Sequence, residues 1–136
     1  MTKLWPTSRF SIVEDGVFRG GFPRADNVPF LETLDLRTVV ALVPSSVQPA
    51  AAVTDFYRDR NITIHHIETG PYRESGTLPV TLETLSTAIN ILIDPRNYPV
   101  YIHCLDGSRN TGLVLMALRR LCRWPIRSRH AEFMRY

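Results

Sequence analysis

Residues 100–112 read Val-Tyr-Ile-His-Cys-Leu-Asp-Gly-Ser-Arg-Asn-Thr-Gly. A β-prone apolar run ends at His103-Cys104, passes through a loop containing Gly107, and gives way at Thr111-Gly112 to an apolar helical pattern. Strand, tight loop and helix in that order make an anion-binding layout. The turn gathers backbone N–H groups around one point, and the helix dipole favours negative charge there. The same field favours a thiolate over a thiol, so Cys104 reads as a nucleophile facing an oxyanion. The blander reading is a buried parallel strand ending in a free cysteine and a glycine turn. It leaves unexplained why His-Cys, Gly107 and Thr111-Gly112 fall together at loop spacing.

Outward from this stretch, strand and helix signals alternate. Thr38–Val43 is almost wholly apolar and reads as a central strand buried on both faces, with Val17–Gly20, Ile62–Ile67 and Val100–His103 as further strands. Asn27 is placed to cap a helix through Phe30, Leu31 and Leu34. Gln48–Arg60, with Pro49 in its first turn and Val53, Phe56 and Tyr57 on one face, predicts a second. Pro79–Ile93 is amphipathic through Leu82, Leu85, Ala88, Ile89 and Leu92 and stops before Pro95. Thr111–Leu121, apolar at Leu113, Val114, Met116, Ala117 and Leu121, is the helix whose start faces Cys104. Pro125 breaks it, and Ile126–Tyr136 begins another that stops with Phe133 and Tyr136 still apolar, so the domain is expected to continue past that point. Glu68–Leu78, with Gly70, Pro71, Ser75 and Gly76, reads as a loop. The expectation is an α/β domain over residues 1–136: a mostly parallel sheet of four to five strands, right-handed crossovers, and helices on both faces. Ligands of such sheets sit at the strands' C-terminal ends, where Cys104 falls.

Composition narrows the function classes. With 44% hydrophobic and 21% charged residues the chain is ordinary for a globular domain. No apolar run approaches the ~20 residues of a membrane span, and Met1–Phe10 lacks a signal-like apolar core, so a cytoplasmic protein without membrane attachment is expected. Two cysteines are too few for a disulfide framework. Cys122 reads as a buried helix-end thiol, with a redox-partner role for Cys104 as its alternative. His65 and His66 point to opposite faces of one strand, and no Cys-x-x-Cys or His-x-x-x-His spacing occurs; neither a metal nor a cofactor is expected. The net charge of +3 is mild, and basic residues are not interleaved with aromatics, which argues against a nucleic-acid partner. Arg119, Arg120, Arg123, Arg127, Arg129 and Arg135 crowd the C-terminal region, opposed there only by Glu132. Such arginines suit multidentate phosphate groups or an acidic partner, and equally a solvated helix face.

The Cys104 stretch resembles the signature of cysteine-dependent phosphatases: His-Cys, five residues, Arg, Ser or Thr, Gly, with Asn110 where the Arg stands. A second block, Val17-Phe-Arg19-Gly-Gly-Phe-Pro23-Arg24 followed by Asn27 and Phe30-Leu31, is similar to the atypical dual-specificity phosphatases of plants and fungi. Leu92-Ile-Asp-Pro95-Arg-Asn-Tyr-Pro99 adds to the likeness, which runs from about Phe10 onward. Active members of that group cleave inositol pyrophosphates and some phosphoproteins. Its oxidant-induced cell-cycle arrest proteins include members whose loop lacks the Arg, and this chain resembles those most. The resemblance implies a dual-specificity phosphatase-like fold in which Cys104 attacks, His103 orients the loop and Thr111 supports the departing thiolate. Leu105, Asp106, Gly107, Ser108, Arg109 and Asn110 would then surround the phosphate. No Asp lies between Ile67 and Glu83 to serve as the usual upstream acid. Asp106, placed as in the Cys-x-Asp-Gly loop of the myotubularin lipid phosphatases, or Glu74 is the candidate general acid.

Asn110 sets the expected activity. Losing an arginine that grips a transferring phosphoryl group costs roughly three to five orders of magnitude in rate. Arg109 lies one residue early, which turns its side chain by ~100° on a helix and leaves it at most a rim contact. The expectation is a catalytically weak phosphatase or a pseudophosphatase that binds a phosphorylated ligand (an inositol pyrophosphate or a phosphoprotein) or a related phosphatase-fold partner. One alternative is an active phosphatase working through a phosphocysteine. Another is a rhodanese-like sulfurtransferase, because Cys104-Leu-Asp-Gly-Ser-Arg109 also fits a Cys-x-x-Gly-x-Arg persulfide loop.

Overall fold

The computed structural model describes residues 3–69, 81–105, 107 and 109–121. Its elements run β1 (Ser11–Glu14), β2 (Val17–Gly20), α1 (Val28–Glu32), β3 (Thr38–Val43), α2 (Ala51–Asp59), β4 (Thr63–Glu68), α3 (Leu82–Leu92), β5 (Val100–His103) and α4 (Arg109–Leu121). The strands form a five-stranded sheet in the order β1-β2-β5-β3-β4. β2, β5, β3 and β4 are parallel, and β1 is antiparallel to β2. The expected α/β sheet with helices on both faces is thus present, with one antiparallel edge added.

Alternation along the strands divides the core. Val17, Val40, Leu42, Val100, Ile102 and Cys104 pack with Ala88, Ile89 and Leu92 of α3 and with Val114, Leu115 and Leu118 of α4. The residues between them, Val39 and Tyr101, pack on the other face with Leu31 of α1 and with Val53, Phe56 and Tyr57 of α2. All six residues of β3 are buried, as expected for a strand covered on both sides, and each such aliphatic side chain contributes about 1.5–3 kcal/mol.

Three local readings need correction. Asn27 does not cap α1 with its side chain; Oδ1 accepts from the Arg24 amide at 2.8 Å and Nδ2 donates to the Trp5 carbonyl at 2.8 Å, so it ties the N-terminal segment down instead. α2 begins at Ala51 rather than Gln48, because Gln48 Nε2 donates back to the Ser45 carbonyl at 3.0 Å in the preceding turn. α4 begins at Arg109, two residues before Thr111.

Candidate functional site

β5 ends at His103, and Cys104 follows at the C-terminal edge of the sheet, buried and free of any disulfide. Between Cys104 and α4 the chain makes a tight loop. Gly107 has φ of +79°, a conformation that glycine adopts without steric cost. Glycine is required there for a second reason: a Cβ would lie 2.7 Å from the Gly20 carbonyl carbon and 2.8 Å from the Gly21 nitrogen. The loop therefore rests on the backbone of the segment that leaves β2.

Three carbonyls of this stretch accept hydrogen bonds from neighbouring groups. His103 Nδ1 lies 3.2 Å from the Cys104 carbonyl and, since a carbonyl only accepts, donates to it. The Phe22 amide donates to the Leu105 carbonyl at 3.2 Å. Arg19 Nη2, on a side chain with no exposed surface, donates to the Gly107 carbonyl at 3.1 Å. The donors come from both faces of the sheet, Arg19 from the α4 side and His103 and Phe22 from the α2 side, so the stretch after β5 is fixed from two directions.

His103 is buried between Tyr101, stacked at 5.6 Å between ring centroids, and Phe22, edge-on at 5.5 Å. Burial pushes its pKa down to about 4, opposed by the hydrogen bond to the Cys104 carbonyl and reinforced by nearby His66. It is a neutral donor at pH 7, suited to holding a loop and unsuited to acting as the loop's cation. His65 and His66 alternate on β4, and His66 Nε2 lies 2.9 Å from the Val43 carbonyl. No cluster of three metal-ligating side chains occurs among the described residues. A cavity of about 200 Å³ lies on the α2 side of the sheet, lined by Phe22, Val39, Ala41, Tyr57, His66 and His103 among others. Cys104 is not part of its wall.

The first turn of α4 separates the two residues at the critical position. Asn110 is buried and Arg109 is exposed. Asn110 Oδ1 and Thr111 Oγ1 are both buried without a hydrogen-bond partner among the described residues, as groups awaiting a ligand or a thiolate would be. The structure thus brings together Cys104, His103, Gly107, Asn110 and Thr111 at one strand end and one helix start. Asp106, Ser108 and Glu74, with Cys122 and the helix expected from Ile126, lie outside the described residues.

Sequence reasoning assigned no role to Arg19, Phe22 or Tyr101. The Tyr101 hydroxyl donates to the Gly21 carbonyl at 2.6 Å and shares a hydrogen bond with Thr7 Oγ1 at 2.8 Å, so it fixes the platform beneath the loop. The signal for Arg19 was present as a charged residue inside an otherwise apolar strand, Val17-Phe18-Arg19-Gly20.

The fold agrees with that of a solved relative. The chain is 35% identical over 132 residues to the inositol diphosphatase DSP3 of Arabidopsis thaliana, covering 97% of this chain and 64% of that one, so it spans under two thirds of that protein's length. It is 35% identical to OCA1 of Mycosarcoma maydis, whose name places it among tyrosine-protein phosphatases, over 98% of this chain and 82% of that one. The crystal structure of the core catalytic domain of the PP-IP phosphatase SIW14 from S. cerevisiae, in complex with citrate, superposes with a TM-score of 0.86 at 26% identity, covering 98% of this chain and 78% of that one. The family model described as the tyrosine phosphatase family matches residues 4–136. Matched by that model over nearly its whole length, the chain belongs to the tyrosine phosphatase family.

Proposed function

We propose that the chain binds a phosphorylated ligand at the Cys104 loop and hydrolyses it weakly or not at all. Asn110 carries this reading. The residue six positions after the cysteine is a buried neutral amide in the first turn of α4, and the neighbouring Arg109 is exposed. The amide cradle can still receive an oxyanion, while the charge that stabilises a transferring phosphoryl group is absent from its usual place. Phosphate-dense ligands such as inositol pyrophosphates, or phosphoproteins, are the proposed class, supported by the names of the plant and yeast relatives. A related phosphatase-fold protein is the proposed macromolecular partner, and the cytoplasm the proposed location. Among the described residues no helix is long and apolar enough to cross a membrane.

Whatever turnover occurs would pass through Cys104. The Sγ thiolate forms a bond to phosphorus as the P–O bond to the leaving group breaks, and that oxygen takes a proton from Asp106 or Glu74. Water then attacks the phosphocysteine, releasing phosphate and the thiolate, with Thr111 Oγ1 as the hydroxyl donor to sulfur.

The test compares the unmodified chain with Cys104→Ser and Asn110→Arg on an aryl phosphate and on an inositol pyrophosphate. Near-background hydrolysis by the unmodified chain is expected, with a gain of about a hundredfold or more in Asn110→Arg, within the range that phosphate-gripping arginines supply. Robust turnover by the unmodified chain that vanishes in Cys104→Ser overturns the proposal in favour of an active phosphatase. Sulfur transfer from thiosulfate to cyanide would overturn it in favour of a sulfurtransferase.

A further inference from the structure

We infer that Arg19 is the positioning residue of the oxyanion cradle, and that the cation this loop lacks at Asn110 is partly supplied from beneath it. The inference rests on the reading of the Cys104 loop as an anion site. In the parallel register Arg19 pairs with Ile102 and Gly20 with His103. Paired residues of parallel strands share a face, so Arg19 lies on the side of the sheet that α4 covers, together with Ile102 and Cys104. No part of its side chain reaches solvent, and its Nη2 reaches across the strand end to the Gly107 carbonyl at 3.1 Å.

A guanidinium is charged at any physiological pH, and burying one is costly unless the surroundings use the charge. Here it does two things at one peptide. Its hydrogen bond fixes the Gly107 carbonyl in place. Its charge stands at the loop, where a bound oxyanion feels it through a medium of low dielectric. Gly107 lies against the Gly20-Gly21 backbone with no room for a Cβ between them. His103 is neutral and Arg109 is exposed, whereas Arg19 is buried with its guanidinium in hydrogen-bond contact with the loop.

The test uses the full chain in a Cys122→Ser background, so that Cys104 is the only thiol. Tungstate is titrated as the oxyanion probe, and its occupancy is read as protection of Cys104 against iodoacetamide. Arg19→Lys, which keeps the charge and one donor, should bind tungstate within about threefold of the parent. Arg19→Gln, a donor without charge, and Arg19→Met, with neither, should bind at least about tenfold more weakly, the size expected for loss of a charge-assisted contact. Equal affinity in Arg19→Met and the parent overturns the inference.

A second measurement serves if the variants do not fold. In arginine-labelled parent protein the Arg19 guanidinium protons should exchange slowly and shift when tungstate is added. A rapidly exchanging guanidinium that tungstate leaves unmoved overturns the inference. If the parent itself gains no protection from tungstate, the anion-site reading fails, and Arg19 is then judged by its guanidinium alone: slow exchange supports its hold on Gly107, fast exchange refutes it.

Discussion

At Gly107 two demands meet on one α-carbon: a φ of +79° and a neighbouring backbone 2.7 Å from where a Cβ would sit. Alanine there would incur about 1–2 kcal/mol of backbone strain and, because the Gly20-Gly21 backbone cannot step aside as a flexible side chain would, a loop displacement as well. Gly107→Ala should lower unfolding free energy in urea by at least about 2 kcal/mol and abolish tungstate binding by any fraction that folds. His103 gives a prediction in pH. Its folded pKa of about 4 lies below the ordinary value near 6.5, so folded and unfolded states are both neutral above pH 6.5 and the group has no effect there. Below that, the unfolded state takes up the proton first, and stability falls by about 3 kcal/mol as pH drops to 4. Subtracting urea-derived stabilities of His103→Asn from those of the parent across pH 4–7 should isolate that slope; a pH-independent difference would refute the buried neutral imidazole. Cys104, Gly107 and the exchange at Asn110 were legible in the sequence because chemistry fixes residue type and spacing together. The roles of Arg19 and Phe22 were not, since each acts on a loop more than eighty positions away, and only the parallel pairing of β2 with β5 brings them there.

Among the elements, β2, β3 and β5 were legible to their ends because apolar runs bounded by turn residues leave little freedom. β1 was missed. It is an edge strand with Val13 alone buried and Ile12 65% exposed, so it carries no period-two signal, although Asp15-Gly16 marks the hairpin turn that joins it to β2. The start of α2 was misplaced because the Gln48 side chain satisfies a turn carbonyl that sequence alone does not show. α4 carries the helix start behind Cys104, and Val114, Leu115 and Leu118 anchor it to the sheet. Leu115→Ala, at a site with no exposed surface, should cost about 3 kcal/mol in chemical denaturation. Because the same helix begins beside the proposed anion site, that variant should also loosen oxyanion binding, whereas Leu31→Ala on the opposite face should lower stability alone.

For the molecule as a whole, the sheet order sets β5 between β2 and β3, so both apolar layers share its residues: Val100 and Ile102 on one face, Tyr101 on the other. The two layers should therefore melt as one unit, and near- and far-ultraviolet circular dichroism should give coincident urea transitions in the parent and in Leu115→Ala and Val53→Ala alike. The chain's opening residues take part in that unit. Thr7 is buried against the Tyr101 hydroxyl, and the Ser8 carbonyl accepts from the Gly21 amide at 2.8 Å. Anyone trimming the polypeptide for crystallisation at Phe10, where family likeness becomes obvious, would leave a phenol stripped of one hydrogen-bonding neighbour and an amide facing nothing, beside the strand that leads into Cys104. An N-terminal tag attached ahead of Trp5 leaves these contacts and the Asn27 hydrogen bonds to the Trp5 and Pro6 carbonyls in place, and one that replaces Trp5, Pro6 and Thr7 removes them.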